Sequence, residues 1–364
     1  MSGASGGGRP GGAPERAVIV GTGLIGGSIG LALRARGWHV TGRDLDPARA
    51  ERAVVLGALD AVGDDPGADV TFVCTPVLTI PAEARVALAA GPGLVTDVGS
   101  VKGPVTAAVG DPRFVGGHPM AGSEQDGVDG ADATLFEGAT WVLTPTVDTD
   151  SQAFARIRTV VSSLGADVVA LPPARHDELV ALVSHVPHLA AATLMALAAD
   201  GADEHAAVLR LAAGGFRDMT RVAAGSPAIW PDICAENCDA IVDSLDRLVD
   251  ALTRMRHLVA SGDRAGLLVA LERARAARVN LPRRVPVPEE LSEMRVPVPD
   301  RPGVLAEVTT LLGELGVNIV DLEIAHSAEG HRGVLVMIVR REEAEGVRAA
   351  LGDRGYRPSV RVLA

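Results

Sequence analysis

The segment Gly21-Thr22-Gly23-Leu24-Ile25-Gly26 limits the possible folds of this chain more than any other. It fits G-x-G-x-x-G, follows the apolar run Ala17–Val20 and opens a helical pattern, which is the setting this motif needs to hold a dinucleotide. The spacing predicts that Gly21 makes the tight turn. Gly23 then lets a pyrophosphate approach the backbone, and Gly26 allows helix and strand to pack closely. Asp44 ends the second predicted strand about 20 residues further on, where a carboxylate accepts hydrogen bonds from a ribose. Thr22, Leu24 and Ile25 complete the turn, and Thr75, just past the predicted strand Val70–Cys74, is a further expected cofactor contact. A carboxylate repels the extra phosphate of NADP, so Asp44 favours NAD, although neighbouring Arg43 could blunt that preference.

From Arg16 onward short apolar runs alternate with helical segments, as in an open parallel α/β sheet. The expected strands are Ala17–Val20, His39–Gly42, Val70–Cys74, Leu94–Asp97, Phe114–Gly116, Thr140–Leu143 and Asp167–Ala170, with an amphipathic helix over Ser151–Leu164. The expected divisions are a disordered tail to residue 14, a Rossmann-type domain over 15–173 and an all-α domain over 174–280. A Pro-rich linker, 281–292, and a βαββαβ ferredoxin-like unit, 293–364, complete the chain. Ala/Leu-rich helical periodicity marks Asp177–Ala199, Glu204–Leu211, Pro231–Val259 and Arg264–Val279.

Net charge is −12, which argues against a nucleic-acid partner because phosphate backbones need clustered cations. No run of about 18 uninterrupted apolar residues predicts a membrane span. Three cysteines without zinc spacing point to reduced thiols, a cytoplasmic location and no metal.

The richest chemistry lies in Gly116–Glu124, GGHPMAGSE, where His118 sits in a glycine-rich stretch after a short strand. Taken alone, His118 fits a histidine bonded to its own turn as well as an acid/base group. The cofactor turn upstream favours the second reading. Asp97-Val98-Gly99-Ser100-Val101-Lys102 lies at the carboxyl end of a strand, the edge where open sheets bind ligands, and Lys102 is the one lysine in the chain. His185 and His188, three apart on one helix, could hold a metal, but no third ligand is placed near them.

DVGSVK followed by GGHPMAGSE behind GTGLIGGS resembles the prephenate/arogenate dehydrogenase family. The likeness continues through His176-Asp177, Ser184-His185-Val186-Pro187-His188, Phe216–Arg221 and Ile229-Trp230. The resemblance implies oxidative decarboxylation of a cyclohexadienol by NAD, with His118 accepting the ring hydroxyl's hydrogen bond and Ser100 orienting it. It also implies that Arg221 binds the side-chain carboxylate, with His188 and Trp230 at the substrate and Glu124 and Asp177 as gating carboxylates; Lys102, a lone lysine in an arginine-rich composition, is a further expected substrate contact, although chance would also leave one lysine somewhere. In the loop after the histidine, Asp126 or Asp129 could pair with the ammonium of arogenate, so prephenate and arogenate both stay open. The helical domain is expected to dimerise.

Asp300-Arg301-Pro302-Gly303-Val304-Leu305 with Gly316-Val317-Asn318-Ile319 resembles an ACT domain, an amino-acid-binding module. This implies an effector site at Asp300, Gly303, Asn318 and Ile319, with tyrosine as the expected effector, although a purely structural dimerisation unit fits as well. A reading from another class is a non-catalytic sensor of NAD and amino acids.

Overall fold

The computed structural model describes residues 14–123, 125–204, 208–280, 291–299, 304–317, 319, 321–326 and 332–362. Contacts divide the chain into two units, Met1–Asn280 and Leu281–Ala364. The expected N-terminal tail therefore lies almost wholly outside the described residues, as do Glu124, Asp300, Gly303 and Asn318.

The first unit begins with β1 (Arg16–Val20), α1 (Leu24–Arg34), β2 (His39–Arg43), α2 (Pro47–Val55), β3 (Ala61–Val62), β4 (Val70–Val73), α3 (Ile80–Ala90) and β5 (Leu94–Asp97). It continues with α4 (Gly103–Val109), β6 (Phe114–Pro119), β7 (Thr140–Thr144), α5 (Ser151–Ser163) and β8 (Asp167–Ala170). The eight strands are ordered β3-β2-β1-β4-β5-β6-β7-β8. Their β-branched runs are buried because helices cover both faces, and Ile19, Phe72 and Trp141 form the centre of the core with Ile29 of α1 and Ile157 of α5. Helix starts follow local chemistry. Asp46 accepts from Ala48 N with Pro47 in the first turn, and Asp150 accepts from Gln152 N and Ala153 N. Strand order reverses between β2-β1 and β4, so a crevice opens at the carboxyl ends of β1 and β4.

Three features depart from the expected sheet. Edge strand β3, only Ala61–Val62, carries too short an apolar signal to be read. β7 runs antiparallel to β6, and β8 follows β7. Among its described residues the connection from Pro119 to Thr140 contains a 3-10 turn, Val128–Gly130, and no crossover helix, so the chain re-enters the sheet from the edge at which it left. The third departure is β6 itself, which extends through His118 and Pro119, with His118 paired opposite Val142. Pairing with β7 overrides the poor strand propensity of GGHP. A Cβ on Gly117 would stand 2.6 Å from Asp97 O, so glycine is what lets the strands close here.

The helical layer comprises α6 (Pro173–Val180), a π-helical turn Ala181–His185, α7 (Val186–Glu204), α8 (Gly214–Thr220), α9 (Trp230–Glu236), α10 (Cys238–Ala260) and α11 (Arg264–Val279). The π turn precedes Pro187, which has no N–H to return to the preceding turn. The segment expected as one helix from Pro231 breaks at Asn237, whose buried amide donates to Asp177 O at 2.9 Å. Of the helix expected over Glu204–Leu211, residues 205–207 lie outside the described residues, and Leu209–Leu211 is a 3-10 turn. The run Pro173–Gly201 is long and apolar enough to cross a membrane by length and composition, contrary to the sequence expectation. Its first turns, however, bury His176 and Asp177 against the sheet layer, where both are hydrogen-bonded.

The second unit contains β9 (Leu291–Pro299), α12 (Val304–Glu314), β10 (Asp321–His326), β11 (Arg332–Arg340), α13 (Arg341–Asp353) and β12 (Ser359–Val362). Leu291 and Ser292 belong to β9 and not to the expected linker. The antiparallel order β10-β11-β9-β12 is that of a ferredoxin-like βαββαβ unit. Alternating Met294, Val296 and Val298 pack with Leu335, Met337 and Val339 against Leu312, Val347 and Leu351 of the helices.

Candidate active site

Gly21, at φ 94°, turns the chain out of β1, and its N–H donates to Arg43 O at 2.8 Å. A Cβ on Gly26 would stand 2.0 Å from Gly21 O, so α1 can reach the sheet only with glycine there. Gly23, by contrast, faces open space at the N-terminus of α1, whose first amides have no acceptor within the helix. Thr75 Oγ1 is buried beside this turn with no hydrogen-bond partner among the described residues. An open backbone face, free helix amides and an orphaned hydroxyl fit a dinucleotide.

Asp44 is fixed at the end of β2, accepting from Thr22 N at 2.7 Å, Thr22 Oγ1 at 3.1 Å and Asp46 N at 3.0 Å. The side chain of Arg43 is committed to Asp64 at 2.8 Å and Glu83 at 2.5 Å. It does not stand free to receive a 2′-phosphate.

Beneath the neighbouring strand ends lies a buried charge cluster. Lys102 Nζ pairs with Asp97 Oδ2 and donates to Gly117 O at 2.8 Å, and both side chains are 0% exposed. Asp97 also accepts from Gly99 N and Gly117 N, so one carboxylate holds the Gly99–Ser100 turn and the residue preceding His118. Lys102, expected at the substrate, is thus a support beneath the floor and absent from the cleft wall. Asp177 is corrected in the same way. It accepts from Lys102 N at 2.8 Å and Gly103 N at 2.7 Å at the start of α4, where a carboxylate suits the helix dipole. In this structure the carboxylate is buried and engaged by these amides and by His176.

A cleft of about 850 Å³ opens above this cluster, lined by Leu24, Ile25, Ser100, His118, Asp126, His188, Arg221 and Trp230 among others. It brings the nucleotide turn, the central histidine and the helical layer's arginine to one place. Trp230 stacks on His188 with ring centroids 3.7 Å apart and 12° between planes. Of the two loop acids, Asp129 is bound to Arg52 at 2.6 Å, leaving Asp126 as the one that lines the cleft. Ile319 of the other unit is partly buried against that unit's core. Among the described residues no group of three or more His, Cys, Asp or Glu could hold a metal ion.

His118 is 8% exposed, and its Nδ1 lies 2.8 Å from Nε2 of His176. Burial, reinforced by electrostatic coupling to the neighbouring His176, Lys102 and His185, pushes its pKa well below the ordinary 6.5. Burial likewise lowers His185 to about 4 and shifts His188 down. The imidazole of His118 is therefore neutral at pH 7 and available as an acceptor. The sequence assigns His176 no role of its own, because its partner stands 58 residues away; its adjacency to Asp177 is the available signal.

A dinucleotide turn at the reversal point of the sheet, adjoining a cleft with a neutral histidine, defines a nucleotide-dependent dehydrogenase. Residues 29–170 match the family described as prephenate dehydrogenase, nucleotide-binding domain; 172–273 match its dimerization domain, and 294–354 match the ACT domain. The prephenate dehydrogenase of Bacillus subtilis is 35% identical over 337 residues, covering 87% of this chain and 90% of that protein. The Aquifex aeolicus prephenate dehydrogenase, solved with hydroxyphenyl propionate and NAD+, superposes with TM-score 0.69 at 30% identity, covering 73% of this chain and 98% of that one. Synechocystis arogenate dehydrogenase gives TM-score 0.63 at 33% identity, over 72% and 99%. The chain belongs to the prephenate dehydrogenase family, with a C-terminal ACT domain.

Proposed function

We propose that this chain catalyses the NAD-dependent oxidative decarboxylation of prephenate to 4-hydroxyphenylpyruvate and CO2. The observation that carries the reading is the meeting of neutral His118 with Arg221 in one cleft beside the nucleotide turn. Bound NAD supplies the hydride acceptor, held by the Gly21–Gly26 turn, with Asp44 at the ribose and Thr75 beside the turn. His118 accepts the hydrogen bond of the ring hydroxyl and draws off charge as that carbon becomes a carbonyl. Ser100 orients the hydroxyl. The ring carboxylate leaves as CO2, its bonding electrons complete the aromatic ring, and the proton returns to the phenol oxygen, since the overall reaction releases none.

Arg221 suits the side-chain carboxylate because its planar fork binds two oxygens, while His188 stacked on Trp230 shapes the adjoining wall. Arg221→Ala is expected to raise KM for prephenate by roughly 10²-fold with kcat within a few-fold, the loss of a charged hydrogen-bond pair worth about 2–3 kcal/mol. Steady-state kinetics checks this, and a KM within twofold of wild type would remove Arg221 from the substrate.

A second reading, arogenate as substrate, is favoured by Asp126 in the cleft wall, a carboxylate suited to an ammonium group. A homodimer is supported by the exposed apolar residues Val242, Val249, Leu252, Leu268 and Leu271 on the helices that match a dimerization domain. Tyrosine is the favoured effector of the ACT domain, in the cytoplasm. A chain ending near Pro288 is expected to keep turnover and lose tyrosine inhibition; inhibition that persists unchanged would locate the control in the cleft.

A further inference from the structure

Three groups are bonded in series behind the cleft. Nδ1 of His118 lies 2.8 Å from Nε2 of His176, and Nδ1 of His176 lies 2.7 Å from Oδ1 of Asp177. His176 is fully buried, and Asp177 is held by the backbone N–H groups of Lys102 and Gly103. An ionised carboxylate only accepts, so the proton between His176 and Asp177 sits on His176 Nδ1. A neutral His176 then offers a lone pair at Nε2, and His118 must donate from Nδ1. His118 Nε2 is left as an acceptor.

We propose that His176, anchored by Asp177, is a positioning residue that fixes the His118 tautomer and receives its Nδ1 proton during turnover. This rests on the reading of His118 as the group that accepts the substrate hydroxyl. As the hydroxyl proton passes to His118 Nε2, the Nδ1 proton crosses to His176 Nε2. His118 stays neutral, and the charge resides on a His176 imidazolium against the Asp177 carboxylate. The reverse shift returns the proton to oxygen, so nothing is gained or lost. The surroundings favour this displacement: buried Lys102 opposes a cation on His118, whereas Asp177 directly faces His176.

The test is 15N NMR of the histidine-labelled full chain, with kinetics of two variants. Wild type is expected to show His118 protonated at Nδ1. His176→Phe removes the acceptor, so His118 should shift to the Nε2–H form, with kcat about 10²-fold lower and KM within twofold. His176→Gln, whose amide oxygen can accept from His118 but cannot take its proton, should restore the Nδ1–H form and only part of kcat. An Nε2–H wild type, or full kcat in a folded His176→Gln variant, overturns the proposal. The tautomer is read without substrate, so inactivity toward prephenate would defeat the proposed function and the proton shift with it, while leaving the positioning of His118 by His176 standing. The wrong tautomer in an active enzyme would defeat this inference alone.

Discussion

His118→Asn is expected to lower kcat by about 10³-fold while leaving NAD affinity within twofold, the scale of losing a positioned acid/base group. The asparagine side chain can fill the strand position opposite Val142, but it offers no basic nitrogen to the cleft. The nucleotide turn is built from β1 and α1 without this side chain and should bind as before. The pH dependence carries a sign. The base works when neutral, and burial with its cationic neighbours lowers its pKa. Wild-type kcat/KM should therefore stay flat through neutrality and fall only once pH drops well below 6.5. Rates for wild type and variant across pH 5–8 check both statements. Near-full turnover by the asparagine variant would remove His118 from the chemistry.

The second large effect is on stability. Asp97→Asn keeps shape and volume but leaves the Lys102 ammonium buried at 0% exposure without its counter-charge. Breaking one side of such a pair costs about 3–5 kcal/mol, which corresponds to a fall in Tm of roughly 10 °C. The loss should also reach the active site, because the same carboxylate binds Gly99 N and Gly117 N on either side of the cleft floor. The double variant Asp97→Leu, Lys102→Met carries no unpaired charge and should recover part of the loss. Thermal denaturation of the three proteins checks this, and an Asn variant melting with wild type would show that the pair is not stabilising the fold.

The parts of the molecule governed by short-range rules were legible in the sequence. The glycine turn, Asp44 at the end of β2, most of the strands and the βαββαβ order follow from local pattern and turn chemistry. What escaped depends on contacts between distant residues. Lys102 reads as a lone cation at a strand end, and only the fold brings Asp97 and Gly117 O around its ammonium. For Asp177 the family resemblance implies a gate, and its helix-capping partners, 75 and 74 residues away, leave no local signal of the support it gives. His118 reads as a loop residue because β7, which makes it part of a strand, arrives only after a long connection. The same distance hid the ring-to-ring contact with His176 and the insertion of Asn237 that breaks its helix.

The most direct measurement is NADH formation by the purified full chain supplied with NAD and either prephenate or arogenate, with CO2 measured alongside. The expected result is one CO2 per NADH from prephenate, with NAD preferred to NADP. Bound NAD without NADH from either compound would contradict it and leave a protein that senses the nucleotide without using it.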